Sequence, residues 1–149
     1  MIKLFTIGFT KKSAEQFFEL LRKNNVQRLV DVRINNSSQL AGFAKGKDLE
    51  YFVKKICGIK YVHIKEFAPT KDLLTRWHDQ KISWKGYVGE YISLLTTRKI
   101  NQKYKADQFN GACFLCSEET PELCHRRLLA EYLKDNYCGT EDISIIHLK

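Results

Sequence analysis

Residues that break secondary structure or link domains are scarce in this sequence. Only two prolines and eight glycines occur among 149 residues, and no Pro-rich or Gly/Ser-rich stretch indicates a linker or a disordered tail. No internal repeat is present either. A chain of this length with 44% apolar residues can bury a substantial core. We therefore expect a single domain over residues 1–149.

Long apolar runs are also missing. No stretch approaches the roughly 18 residues of a membrane span, and the run at residues 2–7 is too short for a secretion signal. These features predict a cytoplasmic protein with no membrane association. Five cysteines are present, an odd number without regular spacing, so in a reducing compartment we expect thiols or ligands and not a disulfide framework.

Positive charge exceeds negative charge, with 25 basic and 17 acidic residues and a net charge of +8. Such a field attracts phosphates, which makes nucleic acid, a nucleotide or another phosphate-bearing ligand the expected partner. The lysines are spread along the chain and not massed in one run, so a soluble basic protein without such a partner is the alternative. The sequence does not indicate an oligomeric state.

Apolar stretches with strand character alternate with stretches of helical periodicity. Strands are predicted at 2–7, 29–34, 59–64, 112–116 and 143–148, and helices near 14–21, 49–56, 73–77, 84–95 and from Thr120-Pro121 onward. This order predicts an α/β fold with a mainly parallel sheet covered by helices on both faces. In such folds, ligands bind at the carboxyl ends of the strands.

Reactive and charged side chains cluster in the sequence at that predicted edge. Asp31 and Arg33 lie on one face of the second strand because they are two residues apart, and His63 ends the third strand. Cys116 ends the fourth, and the next helix begins with Cys124, His125 and Arg126. A thiol near a helix N-terminus and cationic groups has a lowered pKa, and Cys124 meets that condition best.

Each of these residues also has a structural interpretation. Cys116 and Cys124 could be small core residues, as free cysteines usually are. His125 could orient the loop, Arg126 could pair with a nearby glutamate such as Glu118, and Asp31 could form a structural ion pair with the arginine two residues on.

Two specialised sites fit the spacing poorly. Cys113 and Cys116 resemble a zinc pair, but three positions apart on a strand they point to opposite faces, so no metal and no cofactor is expected. Zinc held by Cys116, Cys124, His125 and His63 is the alternative. A phosphate-binding thiol loop would place its arginine six residues after the cysteine, whereas Arg126 follows ten residues after Cys116.

Four motifs together resemble the domain-of-unknown-function family 488 (DUF488) over nearly the whole chain. They are Thr6-Ile7-Gly8 with Thr10, Leu29-Val30-Asp31-Val32-Arg33 with Ser38 and Phe43, Tyr61-Val62-His63, and Cys116-Ser117-Glu118 through Pro121 to Cys124-His125-Arg126. Asn36, where the family often has Pro, and Phe67-Ala68-Pro69, where a Leu-Gly-type turn is usual, depart from its pattern. The resemblance implies a shared fold and one site without naming a reaction; the residues it places there are Asp31, Arg33, His63, Cys116, Glu118, Cys124, His125 and Arg126.

These residues favour an enzyme that acts on a nucleotide, nucleic acid or other anionic substrate. In this hypothesis Cys116 or Cys124 is a nucleophile or redox thiol, and His125 or His63 moves protons. Asp31 orients a neighbouring Arg or His, and Glu118 completes the catalytic set. The substrate-binding residues are Arg33, Arg126, Ser38 and Thr10.

Two alternatives come from other functional classes. One is a non-catalytic nucleic-acid-binding module that uses the aromatic side chains of Trp77, Trp84, Tyr87 and Tyr91, although their helical spacing is also typical of a core. The other is a thiol or metal sensor built on Cys116 and Cys124.

Overall fold

A computed structural model describes residues 1–37 and 42–149 of the chain. Its centre is a sheet of five strands, and all strand pairs are parallel, which confirms the predicted α/β class. The strands are β1 (Ile2–Gly8), β2 (Arg28–Asp31), β3 (Lys60–His63), β4 (Ala112–Cys116) and β5 (Ile143–Leu148). They lie in the order β3-β2-β4-β1-β5.

Helices cover both faces of this sheet, as predicted. The described residues form α1 (Ala14–Lys23), α2 (Gly46–Phe52), α3 (Lys71–His78), α4 (Trp84–Thr97), α5 (Ile100–Lys103) and α6 (His125–Asp135). One core lies between the sheet and α1 with α2, and a second lies between the opposite face and α3, α4 and α6. Within the described ranges, no helix is long and apolar enough to cross a membrane.

Strand register brings the candidate residues to one edge of the sheet. Gly8 on β1 is opposite Cys116 on β4, and Asp31 on β2 is opposite His63 on β3. All four residues lie at the carboxyl ends of their strands. The parallel topology therefore positions the site at the edge where ligands bind in α/β folds.

Two predicted boundaries were wrong. The helix predicted from Thr120-Pro121 begins at His125, with Cys124 as its N-cap residue, because residues 117–124 form turns that connect β4 to the helix. Strand β2 ends at Asp31, so Arg33 lies in the loop beyond it. As a result, Arg33 and residues 117–124 lie in loops at the carboxyl edge of the sheet and not in a strand or a helix.

Candidate active site

A pocket of about 220 Å³ opens at the carboxyl edge, between the sheet and helices α3 and α4. Its polar side is formed by the loops after β2 and β4, and its apolar side by the helices. The lining residues are Arg33, Ile34, Asn35, Pro69, Leu74, Trp77, His78, Tyr87, Cys116, Ser117, Glu118, Leu123, Cys124 and His125. The pocket has the mixed apolar and polar lining that small-molecule sites share.

Two thiols and an imidazole meet at the floor of this pocket. Cys116 is the last residue of β4, Cys124 is the N-cap of α6, and His125 is its first residue. The Sγ atom of Cys116 lies 3.7 Å from Nδ1 of His125, and all three side chains are buried. The strand end and the helix start, eight residues apart in sequence, thus supply one reactive cluster.

A backbone carbonyl fixes the orientation of the His125 ring. Its Nε2 atom lies 2.8 Å from the carbonyl oxygen of Val32. Because a carbonyl oxygen only accepts, Nε2 carries the proton and donates it, and in the neutral ring Nδ1 keeps its lone pair. That lone pair points to the Cys116 thiol, which is the arrangement of a nucleophile beside its base.

The pKa of Cys116 is held well below its usual range. Its Sγ accepts a hydrogen bond from Cys124, and the positive charges of His125 and Arg126 also favour the thiolate, against the effect of burial. Burial raises the pKa of Cys124, and the neighbouring Cys116 raises it further. These directions favour the thiolate on Cys116, with Cys124 as its hydrogen-bond donor, whereas the sequence favoured Cys124.

Arg126 contributes charge from a position that no solvent reaches. Its side chain is completely buried, and its Nη1 donates to the carbonyl oxygen of Glu118 at 2.8 Å. Its Nε and Nη2 atoms have no hydrogen-bond partner, and no carboxylate of the described residues lies within 4 Å of it. Arg126 does not line the pocket, so its guanidinium acts on the thiolate through its charge.

Arg33 and Asp31 form a buried ion pair behind the pocket. Nε and Nη2 of Arg33 donate to the two carboxylate oxygens of Asp31 at 2.9 and 2.7 Å, and Nη2 also donates to the carbonyl of Ala44. Burial alone would lower the pKa of Arg33, but these bonds to Asp31 raise it. Nη1 is buried and has no hydrogen-bond partner among the residues that the structure describes, and Arg33 is one of the residues that line the pocket.

Two residues on β3 hold this ion pair in place. Tyr61 donates its hydroxyl hydrogen bond to Asp31 at 2.6 Å, and Nε2 of His63 donates to the carbonyl oxygen of Arg33 at 2.6 Å. His63 does not line the pocket, so its contact supports the Arg33 loop. Tyr61 was not predicted as a site residue, although the buried carboxylate of Asp31 required further donors.

The loop after β4 is fixed from beneath by Thr10. Its hydroxyl and its backbone N–H both donate to the carbonyl of Ser117, at 2.5 and 3.1 Å. Thr10 lines a different cleft, of about 820 Å³, together with Lys11, Lys12 and other charged side chains. Glu118, in contrast, lines the thiol pocket. Thr10 thus positions the loop and is not one of the residues that line the thiol pocket. Ser38, which was also predicted to bind substrate, lies outside the described residues.

Sequence reasoning did not predict the apolar side chains that form one wall of the pocket. Trp77 and Tyr87 line it, and their rings pack 5.7 Å apart. Tyr87 and Tyr91 are buried in the core, so the rival prediction of an aromatic surface for nucleic acid loses two of its four residues. The helical spacing of these residues indicates a buried core. It does not show which of them also face a cavity, because that depends on how the helices pack.

A comparison with protein-family models shows the family of the chain. The model described as domain of unknown function DUF488 matches residues 13–133. The chain belongs to the DUF488 family. The match includes the Asp31–Arg33, Tyr61–His63 and Cys116–Arg126 segments of this DUF488 protein and begins after Thr10. No curated protein and no solved structure matches the chain.

Proposed function

We propose that this DUF488 protein is an enzyme that uses the Cys116 thiolate as a nucleophile on an anionic, nucleotide-like substrate. The observation that carries the proposal is Arg33, which lines the same pocket as Cys116 and His125 and whose buried Nη1 has no hydrogen-bond partner among the described residues. A reactive thiolate and a free guanidinium donor beside one cavity are the two parts that such a reaction needs.

The Arg33 guanidinium is prepared for an anion before any substrate arrives. Asp31 and Ala44 engage its other nitrogens, so the side chain cannot turn to solvent and is only 5% exposed. Leaving a buried donor without a partner costs about 1–3 kcal/mol, and more for a charged group. A substrate carboxylate or phosphate oxygen that reaches Nη1 recovers that cost on binding.

His125 supplies the proton transfer for the covalent step. With the thiol proton of Cys116 already on Nδ1, the sulfur of the thiolate forms a bond to the electrophilic carbon or phosphorus of the substrate. As the bond to the leaving group breaks, Nδ1 returns the proton to that group. Attack by water or another acceptor nucleophile on the thioester or thiophosphoryl intermediate then releases Cys116.

The opposite wall favours a flat, apolar portion on the substrate. Leu74, Trp77 and Tyr87 face the cavity from α3 and α4, and a planar ring packs well against indole and phenol faces. A pocket of about 220 Å³ accepts a small molecule or a single base and excludes a duplex. These features support a mononucleotide or a similar planar anion as the substrate.

Competing alkylation by two probes tests the proposal on reduced, metal-free protein. Iodoacetate is anionic and iodoacetamide is neutral, so their rate ratio at each cysteine, resolved by mass spectrometry, reports both thiolate character and a local anion site. We expect Cys116 to react below the pH at which exposed Cys138 reacts, and with a higher iodoacetate preference. Arg33→Lys should lower that preference because the lysine ammonium cannot occupy the position of Nη1.

Cys113 provides the matched control. It lies on the same strand three residues earlier, its side chain packs in the core of the opposite face, and burial raises its pKa. It should stay unmodified, and Cys113→Ala should leave the Cys116 rates unchanged. An inert Cys116, or an iodoacetate preference that Arg33→Lys does not alter, would exclude the proposed thiolate and anion pair.

A further inference from the structure

We propose that Cys116, Cys124 and His125 form a zinc-binding site whose fourth coordination position opens into the pocket. The Sγ atoms of the two cysteines and a ring nitrogen of the histidine all lie within 4.8 Å of one another. Thiolate and imidazole are the ligands that zinc prefers, and three protein ligands with one open position are typical of reactive zinc sites.

The spacing between Cys116 and His125 fits two ligands of one zinc ion. Zinc binds sulfur at about 2.3 Å and imidazole nitrogen at about 2.0–2.1 Å, which places two such ligands on a tetrahedral ion roughly 3.6 Å apart. The observed distance from Sγ of Cys116 to Nδ1 of His125 is 3.7 Å. Cys113 takes no part because it faces the opposite core, as the spacing argument predicted.

The surroundings of His125 match those of a zinc ligand. Its Nε2 donates to the carbonyl of Val32, which leaves the Nδ1 lone pair directed at the cluster. Metal-binding histidines commonly donate their second ring N–H to a carbonyl or carboxylate, which fixes the tautomer and orients the ring. No rearrangement of the ring is needed to bind the ion.

Charge favours an anion as the fourth ligand. Two thiolates and a neutral imidazole balance the two positive charges of zinc, and buried Arg126 adds one further positive charge nearby. Ser117 and Glu118 line the same pocket as the three ligands. A hydroxide or an anionic small molecule would therefore complete the site.

This inference rests on the proposed function, because both use the same pocket. Zinc binding would regulate the reactivity of Cys116. Zinc bonds to the sulfur of Cys116 and lowers its nucleophilicity, so the metal-loaded protein should perform the thiol attack more slowly. Zinc and an alkylating probe should compete for Cys116.

Direct metal titration tests the site without any substrate. Reduced, metal-free protein is titrated with Zn²⁺ against a chromophoric chelator, and with Co²⁺, whose thiolate charge-transfer absorption reports bound sulfur. We expect one tight site, and at least a tenfold loss of zinc affinity in Cys124→Ser and in His125→Gln. Cys113→Ala and Cys138→Ser should bind zinc as the unmodified protein does.

Alkylation in the presence and absence of zinc gives a second, independent readout. Zinc should protect Cys116 but not Cys138, and Cys124→Ser should lose this protection while Cys116 remains reactive. Zinc affinity that is absent, or that Cys124→Ser leaves unchanged, overturns the zinc site and leaves the thiolate proposal standing. Tight zinc binding with an inert metal-free Cys116 supports the zinc site and overturns the thiolate instead.

Discussion

Single residues determine how close the loop after β4 can approach the sheet. A Cβ atom at Gly8 would overlap the carbonyl oxygen of Glu118 and would stand 3.0 Å from Nη1 of Arg126. The bond from Nη1 to that same carbonyl, at 2.8 Å, ties the loop to α6. The missing side chain at Gly8 is therefore what lets Arg126 reach the loop beneath the thiolate.

Gly8→Ala should destabilise the protein and loosen this loop. The added methyl meets backbone, which cannot swing aside as a flexible side chain can, and overpacking of this kind costs typically about 1–3 kcal/mol. The free energy of unfolding in urea measures the effect. Gly89→Ala is the matched control, because its Cβ meets nothing within 4 Å in the exposed middle of α4, and it should stabilise the helix by about 0.5–1 kcal/mol. Equal effects at the two positions would contradict the close approach.

At the residue scale, the sequence offered an ion pair of Asp31 with Arg33 as the structural alternative, and it predicted Cys116 at the edge of the sheet. The ion pair forms although Arg33 lies beyond the end of β2, because a buried carboxylate requires a partner. The lower pKa of Cys116 relative to that of Cys124 was not predictable from local rules. It depends on the hydrogen bond from Cys124 across the loop and on the carbonyl of Val32, which orients His125 from a distant part of the chain.

At the scale of elements, α4 begins with a side-chain cap from Ser83. The hydroxyl of Ser83 accepts a hydrogen bond from the backbone N–H of Gly86 at 3.0 Å, and α4 carries Tyr87 into the pocket wall. Ser83→Ala leaves this N–H without its partner and should cost about 1 kcal/mol of stability.

Thermal unfolding of Ser83→Ala and Ser83→Asp separates the cap from other effects. Aspartate keeps an acceptor oxygen at the N-cap and places a negative charge near the helix N-terminus, so it should retain the stability that alanine loses. If aspartate destabilises the protein as much as alanine does, the hydroxyl contributes through packing and not through the cap.

Element boundaries show where local signals were sufficient. The Ser13 capping box and the left-handed Gly58 at the end of the segment that continues α2 both follow local residue preferences for helix ends. Thr120-Pro121 carried an equally good start signal, yet α6 begins at His125. The loop up to Cys124 instead follows the contacts of Thr10 with Ser117 and of Arg126 with Glu118.

At the scale of the whole molecule, alternation of strands and helices was enough to predict a parallel sheet with two covered faces. It did not predict which helices form the pocket wall. Trp77 and Tyr87 come from α3 and α4, whereas the thiols come from β4 and the start of α6. Their meeting depends on how the helices pack over one face, which residue periodicity does not encode.

The edge strand β5 makes the stability of the whole molecule depend on pH through His147. Its Nδ1 lies 2.7 Å from Oγ1 of Thr6 on β1. Burial lowers the pKa of His147, and the positive charges of Arg126, Arg127 and Lys149 add to this effect against that of Glu131. The unfolded chain, with a histidine pKa near 6.5, therefore takes up a proton at a higher pH than the folded chain does.

The free energy of unfolding should consequently fall as the pH drops below about 6.5, since proton uptake then favours the unfolded state. Above that pH, His147 is neutral in both states and its contribution is fully present. His147→Gln removes the titration and keeps a partner for Thr6. Urea unfolding at pH 7.5, 6.5 and 5.5 should show a smaller loss for the variant than for the unmodified protein. The titration of His125 occurs in both the variant and the unmodified protein, so it cancels in the comparison. If the free energy of unfolding fell equally with pH in both proteins, His147 would not be held neutral by the fold.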